Sequence, residues 1–150
     1  MTELPPVENL VVVKPTGAGP FQQLVTAGGH ELVVDEPVSV GGRGAGPTPY
    51  DLILGALGAC TAMTLRLYAE RKDLPLNDLK VNLGHDRIHA KDCADCESSK
   101  AMVDEITVRI ELIGPLDEAQ RARLLEIAEM CPVHRTLAGE IKIRTSLVPA

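Results

Sequence analysis

The stretch from Gly41 to Tyr68, GGRGAGPTPYDLILGALGACTAMTLRLY, restricts the fold more than any other part of the chain. Thr48 suits a helix N-cap, Pro49 the first helical position, where its missing N–H costs nothing, and Asp51 the first turn. From Tyr50 to Leu65 Asp51 is the only charge, and apolar residues fall on every side of the helix. A soluble helix of that kind is buried all round, so a central helix over 48–71 is expected, with the rest of the chain wrapped about it. The apolar run from Leu52 to Leu65 is short of the roughly 20 residues that a membrane span needs. Gly55, Ala56, Gly58 and Ala59 invite close approach by another backbone. Cys60 then lies inside the protein, and on its own it reads as a small core hydrophobe.

The remaining sequence supplies what could cover such a helix. At 150 residues the chain has the length of a single domain over 1–150 with a real core. β-branched segments Asn9–Lys14, Phe21–Thr26 and Glu31–Asp35, separated by Pro15-Thr16-Gly17 and Gly28-Gly29, predict an N-terminal β-meander over 9–42. Leu79, Val81 and Leu83, and then Ile106, Val108, Ile110 and Leu112, alternate with polar residues and predict a long β-hairpin over 79–113. The polar segment His85–Asp104 forms its tip. A second helix over 116–130 puts Leu116, Ala119, Leu124, Ile127 and Ala128 on one face. A last strand over 140–148 follows from the alternation of Ile141, Ile143 and Thr145 with Lys142 and Arg144. The order predicts an α+β fold with helices packed on antiparallel sheet.

Composition removes several functions. One Phe, two Tyr and no Trp leave little for stacking on bases, and a net charge of −6 opposes a phosphate-binding surface, so no nucleic-acid partner is expected. Met1–Pro6 lacks the basic-then-apolar start of a leader, which points to a cytoplasmic protein with no membrane partner. In that reducing compartment the four cysteines serve chemistry or metal more often than structural bridges.

Cys131 precedes Pro132, which can open a short helix through Leu137 and make Cys131 its cap. Free N–H groups and the helix dipole favour a thiolate there, and His134 and Arg135 add charge nearby. The alternative is that Cys131 merely fills a helix break. Cys60 has the opposite problem, since an apolar site disfavours its thiolate and reactivity calls for a cation. Arg43, in the glycine-rich lead-in to the helix, is a candidate for that cation, or else a solvated loop charge. Cys93 and Cys96 have CxxC spacing near His85 and His89. They read first as exposed hairpin-tip thiols, second as a metal site with both histidines, and third as a redox pair.

GPTPYDLILGALGACTAMTLRLYA around Cys60, with MCPVHRTL around Cys131 far downstream, resembles the OsmC/Ohr family of osmotically inducible and organic hydroperoxide resistance proteins. The likeness is to the OsmC-like branch with CPVHRTL at its second cysteine. It implies an OsmC-like fold, antiparallel sheets wrapped around the central helix in an intertwined homodimer. It also implies a thiol peroxidase for oxidative-stress defence that needs no metal or haem cofactor. Cys60 would be the peroxidatic thiol, attacking bulky alkyl or lipid hydroperoxides and becoming a sulfenic acid. Cys131 would resolve it as a disulfide, and an external dithiol of lipoyl type would restore both thiols. The family's reductases hold the reactive cysteine with an Arg and a Glu. At the position of that Glu, counted back from Cys60, stands Ala45, and Arg43 is the nearest candidate for the Arg. A non-catalytic or redox-sensing dimeric binding protein and a metal-binding module at His85, His89, Cys93 and Cys96 are the competing functions.

Overall fold

The computed structural model describes residues 10–96 and 101–149. Where the sequence predicts one domain, the chain divides into two compact units, with the break between Ile53 and Leu54. The N-terminal unit is an antiparallel meander of β1 (Val12–Pro15), β2 (Gln23–Ala27) and β3 (His30–Val34). Asn9, the expected start of the first strand, lies outside the described residues. Ala27 pairs with His30, so Gly28 (φ 57°) and Gly29 (φ 80°) alone make the turn. A two-residue hairpin turn of this hand needs positive φ at both positions, which glycine adopts without strain.

The meander stops at Val34 rather than continuing to residue 42. Asp35 is only 2% exposed, and its carboxylate accepts hydrogen bonds from the backbone N–H groups of Glu36 (2.8 Å), Arg43 (3.2 Å) and Ala45 (3.2 Å). The chain from residue 36 to 46 is therefore a loop folded back on one carboxylate. Gly42 and Gly46 allow the fold-back, since a Cβ on either would sit 1.9 Å from the Glu36 carbonyl oxygen or 2.0 Å from that of Val33. Among residues 10–53 only Val34 and Asp35 are buried.

Helix α1 spans Pro49–Arg71. Asp51 N–H donates to Thr48 Oγ1 (3.1 Å) and Thr48 N–H to Asp51 Oδ2 (2.9 Å), a reciprocal cap that satisfies two of the free donors at the helix start. Burial all round is not what a single chain achieves. Leu57, Gly58, Thr61, Leu65 and Ala69 form one buried stripe, while Ile53, Met63 and Leu67 are 41%, 71% and 48% exposed. At 23 residues the helix is long and apolar enough to cross a membrane by length and composition, although the apolar run within it is shorter. Its buried stripe is the mark of a core helix.

The second unit pairs α1 from Leu54 onward with a long hairpin, β4 (Asp78–His89) and β5 (Met102–Ile113). The ladder runs from Asp78↔Ile113 to His89↔Met102, well into the polar segment expected at the tip, and residues 97–100 of that tip lie outside the described residues. Of the small residues on α1, Gly58 is where the hairpin comes closest: a Cβ there would lie 2.6 Å from Leu83 Cδ1. Helix α2 is Glu118–Ala128, shorter than the expected 116–130 because Asp117 caps it, in a box with Gln120 (Gln120 N–H to Asp117 Oδ1, 2.7 Å). Leu65, Ala69, Leu76, Leu116, Leu124 and Ile127 belong to one buried cluster, whereas Ala119 is exposed. Helix α3 (Pro132–Ala138) follows. The strand predicted over 140–148 is absent: residues 140–149 are in no strand, and Ile143 and Leu147 are 85% and 97% exposed. An alternating pattern makes a strand only where an edge accepts it.

Candidate thiol site

Two residues far apart in sequence meet in the second unit. Cys60 lies in the middle of α1 and is half-buried; Cys131 is the N-cap of α3 and is fully buried. Pro132 at the first position of α3 sets the turn that leaves Cys131 extended (ψ 134°) with its sulfur over the helix start. The sulfur accepts from His134 N–H (3.5 Å), as the sequence predicts for a cap.

Each thiol shifts the ionisation of the other, and the Val133 N–H favours both thiolates. The Thr64 hydroxyl, one turn beyond Cys60 on the same face of α1, favours the Cys60 thiolate, and the hydroxyl of the buried Thr61 favours that of Cys131. Burial pushes the Cys60 thiol above the ordinary value of 9.0, and Cys131 pushes it further, against weaker opposition from Val133 and Thr64. Burial also pushes Cys131 up, but Cys60, His134, Thr61 and Val133 outweigh it and hold its thiol below 9.0. Of the two, Cys131 is thus the thiol whose anion is favoured and Cys60 the one whose proton is held.

A cavity of about 220 Å³ is lined by Leu57, Ile106, Val108 and Leu137, with His134 and Asp104 as its polar groups. Leu57 stands one turn before Thr61 on α1 and His134 donates its N–H to the Cys131 sulfur, so the cavity is lined from the same two helices that carry the thiols, although neither sulfur lines it. Arg135 is exposed. Arg43 belongs to the N-terminal unit, where its side chain runs along Gly19 (Nε 3.2 Å from a Cβ built there) and its N–H is held by Asp35. Ala45, where the sequence reading looked for a Glu, has its N–H on the same carboxylate.

The four residues named as a metal set do not converge. Cys93 and Cys96 form a disulfide (Cα–Cα 5.5 Å). His85 is hydrogen-bonded across the ladder to Asp104 (2.9 Å), and His89 Nδ1 accepts from Lys91 N–H (3.5 Å). Four residues apart on β4, the two histidines are separated by roughly 13 Å, too far to share an ion. Thr61, Thr64 and Asp35 escaped the sequence reading. The two threonines carried a signal, because their spacing from Leu57 and Cys60 puts them on the thiol face, whereas nothing local marks Asp35.

Two thiols, one half-buried and one fully buried, brought together within the second unit define a dithiol site. The OsmC-like protein family model matches residues 42–146, a span that takes in both cysteines, and the chain belongs to that family. No curated protein matches the sequence. Among solved structures it is similar to an OsmC-like protein from Mycoplasma pneumoniae (20% identity, 89% of each chain covered, TM-score 0.70). It is also similar to the organic hydroperoxide resistance protein OsmC from Legionella pneumophila (20% identity, 87% of this chain and 90% of that one, TM-score 0.61). The organic hydroperoxide resistance protein OhrB of Bacillus subtilis is a third (17% identity, 85% and 91%, TM-score 0.56). At these identities the likeness establishes the fold.

Proposed function

We propose that the protein is a thiol-dependent peroxidase that reduces organic hydroperoxides to alcohols in oxidative-stress defence. The observation that carries this reading is that the half-buried Cys60 and the fully buried Cys131 stand near enough for each to shift the other's ionisation. Exposure supports Cys60 as the peroxidatic thiol, since it is half-buried where Cys131 is fully buried. Cys60 attacks the terminal oxygen of the hydroperoxide as its proton passes to the Cys131 thiolate, and the O–O bond breaks. Cys131 returns that proton to the departing alkoxide, giving the alcohol and leaving Cys60 as sulfenic acid. The Cys131 thiolate then attacks the Cys60 sulfur, hydroxide leaves, and the disulfide forms. An external dithiol of lipoyl type reduces it and becomes a disulfide itself. The apolar cavity beside the pair suits an alkyl chain. A cytoplasmic setting would supply the reductant. The names of the Legionella pneumophila and Bacillus subtilis neighbours support the substrate class.

A homodimer belongs to the same proposal. The exposed apolar face of α1 and the apolar residues of the unpaired tail are surfaces that a second copy would cover.

A second reading has one observation in its favour: the Cys60 thiol is pushed up, so its thiolate is scarce at neutral pH. A redox-sensing or binding dimer needs no turnover, and a peroxidase does. Steady consumption of cumene hydroperoxide with dihydrolipoamide, abolished by Cys60→Ser, supports the enzyme. A single stoichiometric oxidation without turnover supports the sensor, and survival of both thiols after hydroperoxide treatment removes the enzyme and the sensor and leaves the binding dimer.

A further inference from the structure

The hairpin tip carries chemistry that the thiol pair does not use. Beyond the last rung of the ladder, His89↔Met102, the chain makes a short 3-10 turn over Ala90–Asp92 and then the Cys93-Ala94-Asp95-Cys96 turn. The Cys93 and Cys96 sulfurs and an Asp95 carboxylate oxygen all lie within 4.8 Å of one another, with Asp95 Oδ1 3.3 Å from Cys93 Sγ. Both cysteines are half-buried and Asp95 is exposed, so the cluster opens to solvent.

We propose that the tip is a redox-gated site for a soft divalent cation of the zinc class, held by the Cys93 and Cys96 thiolates and the Asp95 carboxylate. Ligand atoms around a tetrahedral zinc stand about 3.5–3.8 Å apart, so this cluster needs only local adjustment once the sulfurs part. The gate is the disulfide, which leaves neither sulfur free to ligate. A dithiol reductant opens it: two electrons and two protons pass to the sulfurs, and the reductant becomes a disulfide. The cation then displaces the two thiol protons to solvent. Charge favours its entry. Two thiolates beside Asp95 and Asp92, with Lys91 as the cation within the two turns, repel one another until a divalent ion sits among them. Three ligands from a four-residue turn leave the fourth position to water or to an exogenous donor.

The experiment separates this site from the inner thiols. A full-length Cys60→Ser/Cys131→Ser chain is titrated with cobalt(II) and with zinc(II), before and after reduction and removal of the reductant. The proposal expects one equivalent bound by the reduced chain, with a thiolate-to-cobalt absorption band, and none by the oxidised chain. Asp95→Ala should weaken binding by roughly tenfold or more. Should the inner double variant not fold, Cys93→Ser/Cys96→Ser in the otherwise native chain gives the complementary readout, loss of one equivalent of bound metal. Reduced protein that binds no more metal than Cys93→Ser/Cys96→Ser overturns the proposal and leaves a plain dithiol couple. Equal binding in the oxidised and reduced chains overturns the gate.

Discussion

Thr61→Val tests the electrostatics of the thiol pair with almost no change in volume. Thr61 is 2% exposed and its hydroxyl is one of the groups that hold the Cys131 thiol below its ordinary value. Valine keeps the β-branch and removes the donor. A hydrogen bond to a charged acceptor contributes about 1.5–3 kcal/mol. The lower end applies here, because Cys60, His134 and Val133 still favour the Cys131 thiolate. Only the excess over the bond to the neutral thiol, itself worth about 1 kcal/mol, moves the equilibrium, so about 0.5 kcal/mol remains and the thiolate population at a fixed pH well below the midpoint should fall roughly two- to threefold. Ultraviolet absorbance of the thiolate against pH reads this directly, on a Cys93→Ser/Cys96→Ser background in which only the inner pair titrates. Thr61→Ser retains the hydroxyl and should titrate like the parent. Stability should barely move where both thiols are neutral, since a neutral hydrogen bond is worth about 1 kcal/mol and the added buried methyl about 0.8 kcal/mol in return. An unshifted titration in Thr61→Val, or an equal shift in Thr61→Ser, would refute the claim that the hydroxyl holds the charge on Cys131.

Three further outcomes follow from the same structure. Asp35 is held below its ordinary 3.8, with its three backbone donors outweighing burial, so its stabilisation is complete above 3.8 and lost as pH falls through the folded value. Asp35→Asn should abolish that acid slope, read as amide exchange at Arg43 and Ala45 between pH 2 and 5 (roughly the carboxylate window). The thiols act oppositely. Cys131 is lowered, so stability should rise toward pH 9.0 and Cys131→Ser should flatten the rise; Cys60 is raised, so stability should fall above 9.0 and Cys60→Ser should remove the fall, both read by denaturant melts across pH. Leu124→Ala, at a fully buried position in the main cluster, should cost about 2–5 kcal/mol in the same melts.

What was legible in the sequence was whatever a local signal could carry. The Thr48-Pro49-Tyr50-Asp51 start, the Gly28-Gly29 turn, the alternation of Ile106 to Leu112 and the Cys131-Pro132 cap are short-range patterns, and each formed. Asp35 could not be read, because its three partners are spread over residues 36 to 45 and come together only when the loop folds back. The metal set failed for a related reason. Proximity in sequence suggested that His85 and His89 stand with the cysteines, but the ladder extended through both and drew His85 onto Asp104. The acidity order of the thiols was half legible, since the cap on Cys131 was visible and the hydroxyl of Thr61 was not weighed.

Two expectations that a single chain does not meet, an all-round buried helix and a last strand, lead to a common test. Met63 and Leu67 are 71% and 48% exposed on α1, four residues apart and so on one face. Full burial of such a side chain contributes about 1.5–3 kcal/mol, and these partly exposed ones correspondingly less, about 1 kcal/mol each. In a two-fold dimer every contact occurs twice, so the pair would contribute about 4 kcal/mol to association. Met63→Lys/Leu67→Lys removes that and buries charge in its place, raising the dimer dissociation constant by roughly a thousandfold. Sedimentation over a concentration series would show the parent as a dimer and the variant as a folded monomer, its own core around Leu65 and Leu124 intact. Met63→Ala/Leu67→Ala avoids the added charge and should give a smaller shift in the same direction. A parent that sediments as a monomer at every concentration would mean that the exposed face of α1 has no second copy to cover it. A lysine variant that dimerises as tightly as the parent would place any contact between copies elsewhere, with the tail from Ile141 to Val148 the next surface to change.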